Sequence, residues 1–404
     1  MAGEERAAPA AAAGSGRAAG RPGLLRSVDT HMLAIFILLL GLGTTTLLSA
    51  SYALGNFEVN DPYHYYYEQL WHLLVGLGVA AGLFLVPYWV WIRYAWFWGL
   101  VAVGVLVIML IPGVAREVKG ASRWLAFIPF QPSEAAKLAV AIVLARYFSF
   151  YGELSRRFWY GVGAPLLIMV IFGGLIVAER DLGGAVVIGI IVVLMMVAGG
   201  VRTAHLACLS PLVLVVNELV ATFGYRISRI TSWDDPWQDP TKTGYNIIHS
   251  FYAFASGGWH GVWPGNGQQK MFFLPESHTD YIFAVVGEEM GLVGVCAVSL
   301  LFLALAWRGM MTARSAKTMS GFHLALGMTL CVVVPAFINM CVALSIIPAK
   351  GLPLPFFSYG GSSMVVSCAA MGIILGVYSQ SLRDTGNGYV KTAPGGPRAG
   401  AAAR

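Results

Sequence analysis

The stretch Leu274–Gly291 reads LPESHTDYIFAVVGEEMG. A short polar run ends at Asp280, and an apolar run begins at Tyr281 and continues to about residue 306, interrupted by Glu288 and Glu289. Twenty or so apolar residues are the length that crosses hydrocarbon as a helix. On a helix starting near Tyr281, Ala284, Gly287, Gly291 and Gly294 fall close to the face below Asp280, at about 100° per residue. Small residues there let another helix or a ligand chain approach closely. Glu288 falls about 80° from that line and Glu289 about 180°, with Glu288 roughly 12 Å below Asp280. A lone acid at bilayer depth costs roughly 2.5–3.5 kcal/mol. The two glutamates are therefore expected to face protein or water and to join a polar network with donors on other helices. Asp280 is at the membrane surface, where a carboxylate can stay ionised and act as a general base.

The rest of the chain fits the same frame. It has 404 residues, 57% hydrophobic and only 11% charged, against roughly 25% charged in soluble proteins. The reading is an all-α polytopic membrane protein. Hydropathy places ten spans, near 31–53, 69–91, 95–113, 134–151, 161–178, 182–200, 204–223, 281–306, 320–346 and 362–382. With the N-terminus in the cytoplasm, the inner loops and tails take most of the 26 Lys and Arg, while the first outer loop, GNFEVNDPYHYYYEQ, has none. Both termini are then cytoplasmic, and a large extracytoplasmic loop joins spans seven and eight. The first span is too long for a signal-peptide core and reads as an uncleaved anchor. The basic balance, with a pI near 9.0, follows from cytoplasmic Lys and Arg and calls for no nucleic acid. The five cysteines lie in apolar runs and read as small buried hydrophobes. Residues 1–27 and 385–404, rich in Ala, Gly and Arg or Pro, read as disordered tails around a transmembrane domain at 28–384. No internal repeat is visible, which counts against a transporter of inverted halves.

This topology brings three polar, glycine-containing segments to the outer face: REVKGASRWLAFIPFQPSEAAKLA from Arg116, the stretch from Tyr225 to Asp280, and IIPAKGLPLPFFSYGGSSM from Ile346. Pro132-Ser133-Glu134 reads as a helix start. Glu134 and Lys137, three apart, share one helical face. They form either a local ion pair that anchors the helix or a polar post in a membrane cavity. Arg123 before Trp124 is either an interfacial anchor or a phosphate ligand. His278 reads as an ordinary loop histidine. The glycines between Gly257 and Gly267 allow backbone to approach a ligand, but no strand precedes them and the phosphate signature is weak.

Several of these runs resemble the SEDS family of bacterial membrane proteins (RodA, FtsW, SpoVE): KGASRWL…FQPSEAAKLA, DLGGA, YRISRITSWDDPWQDP, LPESHTDYIFAVVGEEMG and LPLPFFSYGGSSM. The resemblance runs in order from the first span to the last. It implies a peptidoglycan glycosyltransferase that polymerises lipid II at the outer face of the bacterial cytoplasmic membrane and releases undecaprenyl pyrophosphate. It also implies work beside a class B penicillin-binding transpeptidase and other divisome or elongasome proteins. The family's essential aspartate falls on Asp280, its Glu–Lys pair on Glu134 and Lys137, and its arginine before tryptophan on Arg123. The PAKGLPLP run is closer to FtsW than to RodA and points to the division septum. Three places depart from the family pattern: Arg180 stands where proline is usual, HGVWPGNG replaces a glycine–lysine–glycine loop, and Asn246 replaces a glutamine.

The implied reaction needs a base for the attacking sugar hydroxyl, for which Asp280 is the candidate. It also needs cations for the departing diphosphate. Candidates are Arg123, Lys137, Arg226, Arg229 and Lys270, or a divalent cation such as Mg or Mn that Asp280 could hold; Glu134, Ser358 and Gly360 complete the expected substrate-binding set. No organic cofactor is expected. The rival readings are a flippase for lipid-linked precursors, which should carry its key charges near the midplane, and a non-enzymatic division scaffold.

Overall fold

The computed structural model describes residues 28–118, 121–125, 130–207 and 231–386. The N-terminal tail, the C-terminal tail from residue 387, Arg226, Arg229 and most of the seventh expected span lie outside these residues. The main α-helices are α1 (Thr30–Glu58), α2 (His64–Leu85), α3 (Tyr88–Arg93), α4 (Ala95–Met109), α5 (Pro132–Tyr151), α6 (Ala164–Ala178), α7 (Leu182–Ala198), α8 (Thr203–Ala207), α9 (Tyr245–Gly257), α10 (Ile282–Ser315), α11 (Met319–Ala343) and α12 (Gly361–Gly386). Among the described residues, seven helical segments are long and apolar enough to cross a membrane, and α4 and α7 are shorter apolar helices. Nine of the ten expected spans thus have a helix, and the remaining one, the seventh, retains only α8 among the described residues.

Local chemistry explains where the helices stop. The second span was expected to run to residue 91, but α2 ends at Leu85 and Val86 is extended, with ψ 124°. Pro87 imposes that: its ring disfavours helical geometry in the residue before it. α5 begins at Pro132, with Gln131 as its cap residue, as the sequence predicts. At the inner end, Asp29 accepts hydrogen bonds from the His31 and Met32 amides at 3.1 Å. It also pairs with Arg308 at 2.6 Å, which ties α1 to α10. One departure from the all-helical reading is a hairpin between α4 and α5. Its strands, β1 (Ala115–Val118) and β2 (Ala121–Leu125), pair antiparallel with Arg116 opposite Trp124.

Hydrophobic burial is centred on α5, α11 and α12, while α2, α4 and α6 present large apolar side chains such as Trp71, Trp98 and Leu167 outward. α12 packs along α2, α11 against α5, α7 and α10, and α1 against α10.

The expected single helix after Tyr281 is interrupted. Gly291 takes φ 63°, ψ −162°, a conformation open essentially only to glycine. In an unbroken helix the amides of Leu292 and Val293 would bond the carbonyls of Glu288 and Glu289. Instead they donate to Gly258 and Trp259, at 2.9 and 3.2 Å, and the two carbonyls accept from Val262 and Trp263, at 3.0 and 3.1 Å. The chain after α9 has entered the hydrogen-bond ladder of α10 and satisfied every group it displaced. Irregular backbone at membrane depth persists only on that condition. A Cβ on Gly261 (φ 77°) would lie 2.1 Å from the Glu289 carbonyl oxygen, so no side chain fits at this crossing.

Candidate active site

Asp280 stands two residues before the first helical residue of α10, half-buried. Its neighbourhood is fixed from three directions. Asn339 of α11 donates from Nδ2 to the Asp280 carbonyl at 2.8 Å and to the Leu352 carbonyl at 2.7 Å. Ser358 donates from Oγ to the Thr279 carbonyl at 2.5 Å and accepts from the Leu354 amide at 2.8 Å. The Tyr359 amide donates to the His278 carbonyl at 2.9 Å. Gly351, at φ 63°, passes so close that a Cβ there would lie 3.3 Å from Asp280 Oδ2. The 346–360 loop thus forms one wall of the aspartate's surroundings, although it lies some seventy residues away in the chain.

α2 supports that loop from outside. Gln69, buried, donates to the Ser358 carbonyl at 3.1 Å and accepts from the Gly360 amide at 3.2 Å. Tyr359 donates its hydroxyl to Glu68. Burial, then this acceptor, push the Tyr359 phenol well above the usual tyrosine range. The rings of Tyr65, Tyr359 and His278 meet with centroids 5.2–6.1 Å apart, so His278 belongs to an aromatic cluster and is not a stray loop residue.

Ser358 and Gly360, expected to bind substrate, therefore direct their hydrogen bonds into this framework. Lys270, expected as a diphosphate ligand, is buried. Its Nζ lies 2.5 Å from Glu289 Oε1 and 2.5 Å from Ser49 Oγ. Glu134 and Lys137 are both 4% exposed and pair at 2.8 Å. Nearby, Gln131 and Ser133 donate to Asp181 Oδ2, at 3.2 and 3.1 Å, and the Gln131 amide donates to Ser362 at 2.8 Å. The start of α5, the α6–α7 turn and the start of α12 are thereby joined. Arg123 lies on β2 with its side chain outside the described set, as are Arg226 and Arg229 entirely. In the α6–α7 turn Arg180 takes φ 63°, which proline cannot adopt, so this turn has its own geometry.

Two residues were missed by sequence reading. Lys350, beside Gly351, is half-buried with no ion-pair or hydrogen-bond partner among the described residues, and burial lowers its pKa from the usual lysine value. Glu179 is 1% exposed, and neither carboxylate oxygen has a partner among the described residues. Burial, then the Asp181 charge, push it up to about 8. The sequence held a signal for both, an ionisable residue in an outer turn, but burial and pairing are tertiary properties. No group of three or more His, Cys, Asp or Glu able to hold a metal ion is found among the described residues.

The fold and site define an integral membrane protein that holds an aspartate clamped just before one of its long apolar helices, α10. Residues 29–382 match the FtsW/RodA/SpoVE family, described as cell cycle proteins, and the chain belongs to that family. It is 36% identical over 366 residues to the probable peptidoglycan glycosyltransferase FtsW of Pseudomonas fluorescens, covering 89% of this chain and 90% of that protein. It is also 36% identical over 359 residues to the probable peptidoglycan glycosyltransferase FtsW of Geobacter metallireducens, covering 87% and 96%. Among solved structures, a chain of a peptidoglycan synthase complex that coordinates polymerisation and crosslinking superposes with a TM-score of 0.73 at 29% identity, over 88% of this chain and 99% of that one. The rod shape determining protein RodA of Thermus thermophilus shares the fold, with a TM-score of 0.63 at 24% identity over 88% and 97%.

Proposed function

We infer that the chain is a peptidoglycan glycosyltransferase that joins lipid II units at the outer membrane face. The observation that carries the site assignment is the rigid clamp around Asp280: its own carbonyl is held by Asn339, the preceding one by Ser358, and its carboxylate faces the backbone of Gly351. A base that acts in a transition state must be fixed within hydrogen-bond reach of the proton it takes.

In the proposed step the 4-hydroxyl oxygen of one lipid-linked sugar attacks the anomeric carbon of the other. The new C–O bond forms as the bond from that carbon to the diphosphate oxygen breaks. Asp280 accepts the hydroxyl proton, and the electron pair leaves with undecaprenyl diphosphate. Lys137 and Lys270 are already paired with carboxylates. Charge for the leaving group then falls to Lys350, the half-buried outer lysine without a partner among the described residues, and to the arginines at 123, 226 and 229. A divalent cation held by Asp280 would add charge stabilisation for the departing diphosphate. The broken α10 is a feature that transporters share, but Glu288 and Glu289 are engaged by Lys270, Ser49 and backbone amides, which makes them poor cargo ligands. The transpeptidase partner is of the penicillin-binding class, and the site of action is the division septum, with other division proteins as further partners.

The test is Asp280→Asn in purified protein with lipid II and the transpeptidase. The cap residue of α10 is Tyr281, so asparagine at 280 costs the helix little. Base catalysis is worth about 10²–10⁴-fold. The variant should insert and bind its partner but lose polymerisation by that factor. Near-normal polymer on a gel would overturn the assignment.

A further inference from the structure

The chain between α9 and Asp280 is pinned far below the site. Glu289 Oε1 accepts from Ser49 at 2.6 Å, from Lys270 at 2.5 Å and from the Gly265 amide at 3.1 Å. Glu288 accepts from the amides of Gln268, at 2.7 Å, and Gln269, at 3.1 Å. Both carboxylates and the Lys270 ammonium are nearly inaccessible to solvent. By helix rise they sit on the order of 10 Å below Asp280. The network joins three parts of the protein: Ser49 on α1, the acids at the break in α10, and the returning chain.

From Lys270 only nine residues lead to Asp280. They pass through Phe272 and Glu276, both with positive φ (67° and 57°), and through buried Leu274 and Ser277. Positive φ at non-glycine residues is unfavourable and persists only where the surroundings impose it. Here the stretch is imposed on from both ends: at its base by the buried ion pair, and at its top by Asn339, Ser358 and Tyr359. A clamp at the top alone holds carbonyls; the base sets how far the strand can slide.

We propose that Lys270 and Glu289, with Ser49, form an ionic lock at the break in α10 that positions Asp280 for glycosyl transfer. They are positioning residues and touch no substrate. This rests on Asp280 being the reacting carboxylate. The sequence reading placed Lys270 among the diphosphate ligands; its burial against Glu289 assigns it this other role in the same reaction.

The lock and a direct substrate contact differ in what they change. Losing a ligand for the diphosphate weakens binding or leaving-group stabilisation with the loop intact. Losing the lock loosens the strand that carries Asp280. The experiment uses full-length protein with its transpeptidase and lipid II, comparing Lys270→Met, Glu289→Gln and the double variant. Ser49→Ala serves as a milder change that keeps the ion pair and the fold. Each is also made with Ser277→Cys, a buried position, to read loop opening by reaction with a membrane-impermeant maleimide. The expected result is a fall in kcat of about tenfold or more in each single lock variant, with KM within about twofold. The double variant should be no worse than the poorer single variant, and maleimide should reach position 277 faster in all three; Ser49→Ala should move the same way by a smaller amount. A loss of kcat with position 277 still protected would overturn the proposal and return Lys270 to the substrate. So would faster labelling with kcat unchanged. Asp280→Asn run alongside separates the two claims: if it polymerises normally, the base assignment fails whatever the lock does.

Discussion

Replacing Glu179 by glutamine should stabilise the protein near neutral pH, by an amount that grows with pH. The residue lies in the α6–α7 turn, 1% exposed, with both oxygens unpartnered among the described residues. Burial first and the Asp181 carboxylate second raise its pKa from 4.5 to about 8. Below the unfolded value the carboxyl is protonated in both states and costs nothing on this account. Between that value and about 8 the folded protein holds a proton that the unfolded chain has released, so stability falls as pH rises. At about 1.4 kcal/mol per pH unit, the penalty is about 3 kcal/mol at pH 7 and approaches about 5 kcal/mol above pH 8. Glutamine keeps the shape and does not titrate. Denaturant midpoints of the two proteins in one detergent, from about pH 5 to pH 8, would measure it. The variant's advantage should be small at the acid end and widen steadily to the alkaline end. An advantage independent of pH, or one that shrinks as pH rises, refutes the reasoning.

Lys137→Met should cost on the order of 3–5 kcal/mol by leaving Glu134 buried and uncompensated. Lys137→Met with Glu134→Gln should recover much of that in thermal unfolding, and equal losses for the single and double changes would contradict a buried ion pair. A cysteine at Thr241, exposed in the stretch before α9, should react with an impermeant maleimide from the outside of intact cells. Labelling only after the inner face is opened would reverse the topology on which the site depends.

The spans were legible in the sequence because hydrocarbon imposes one rule on every residue of a crossing helix. Runs of about twenty apolar residues had to be helices, and the Lys and Arg distribution set their direction. The convergence of the segments around Glu134, Asp280 and Ser358 followed from that topology, and the start of α5 from Pro132. The network expected of Glu288 and Glu289 was also legible, since isolated acids at that depth are too costly. Which donors complete it was not. Lys270 is nineteen residues from Glu289, and Ser49 two hundred and forty, so nothing local pairs them. Hydropathy also reads α10 as continuous, because Gly291 looks like any small residue on a helix face. Only the arrival of Gly258–Trp263 at that point, with amides and carbonyls to replace those of the ladder, makes a break stable. The same holds for Asp280. Its place at a helix mouth is a matter of sequence, but its clamp is built by Asn339, Gln69, Gly351 and Ser358, brought together by the packing of α2, α10, α11 and α12.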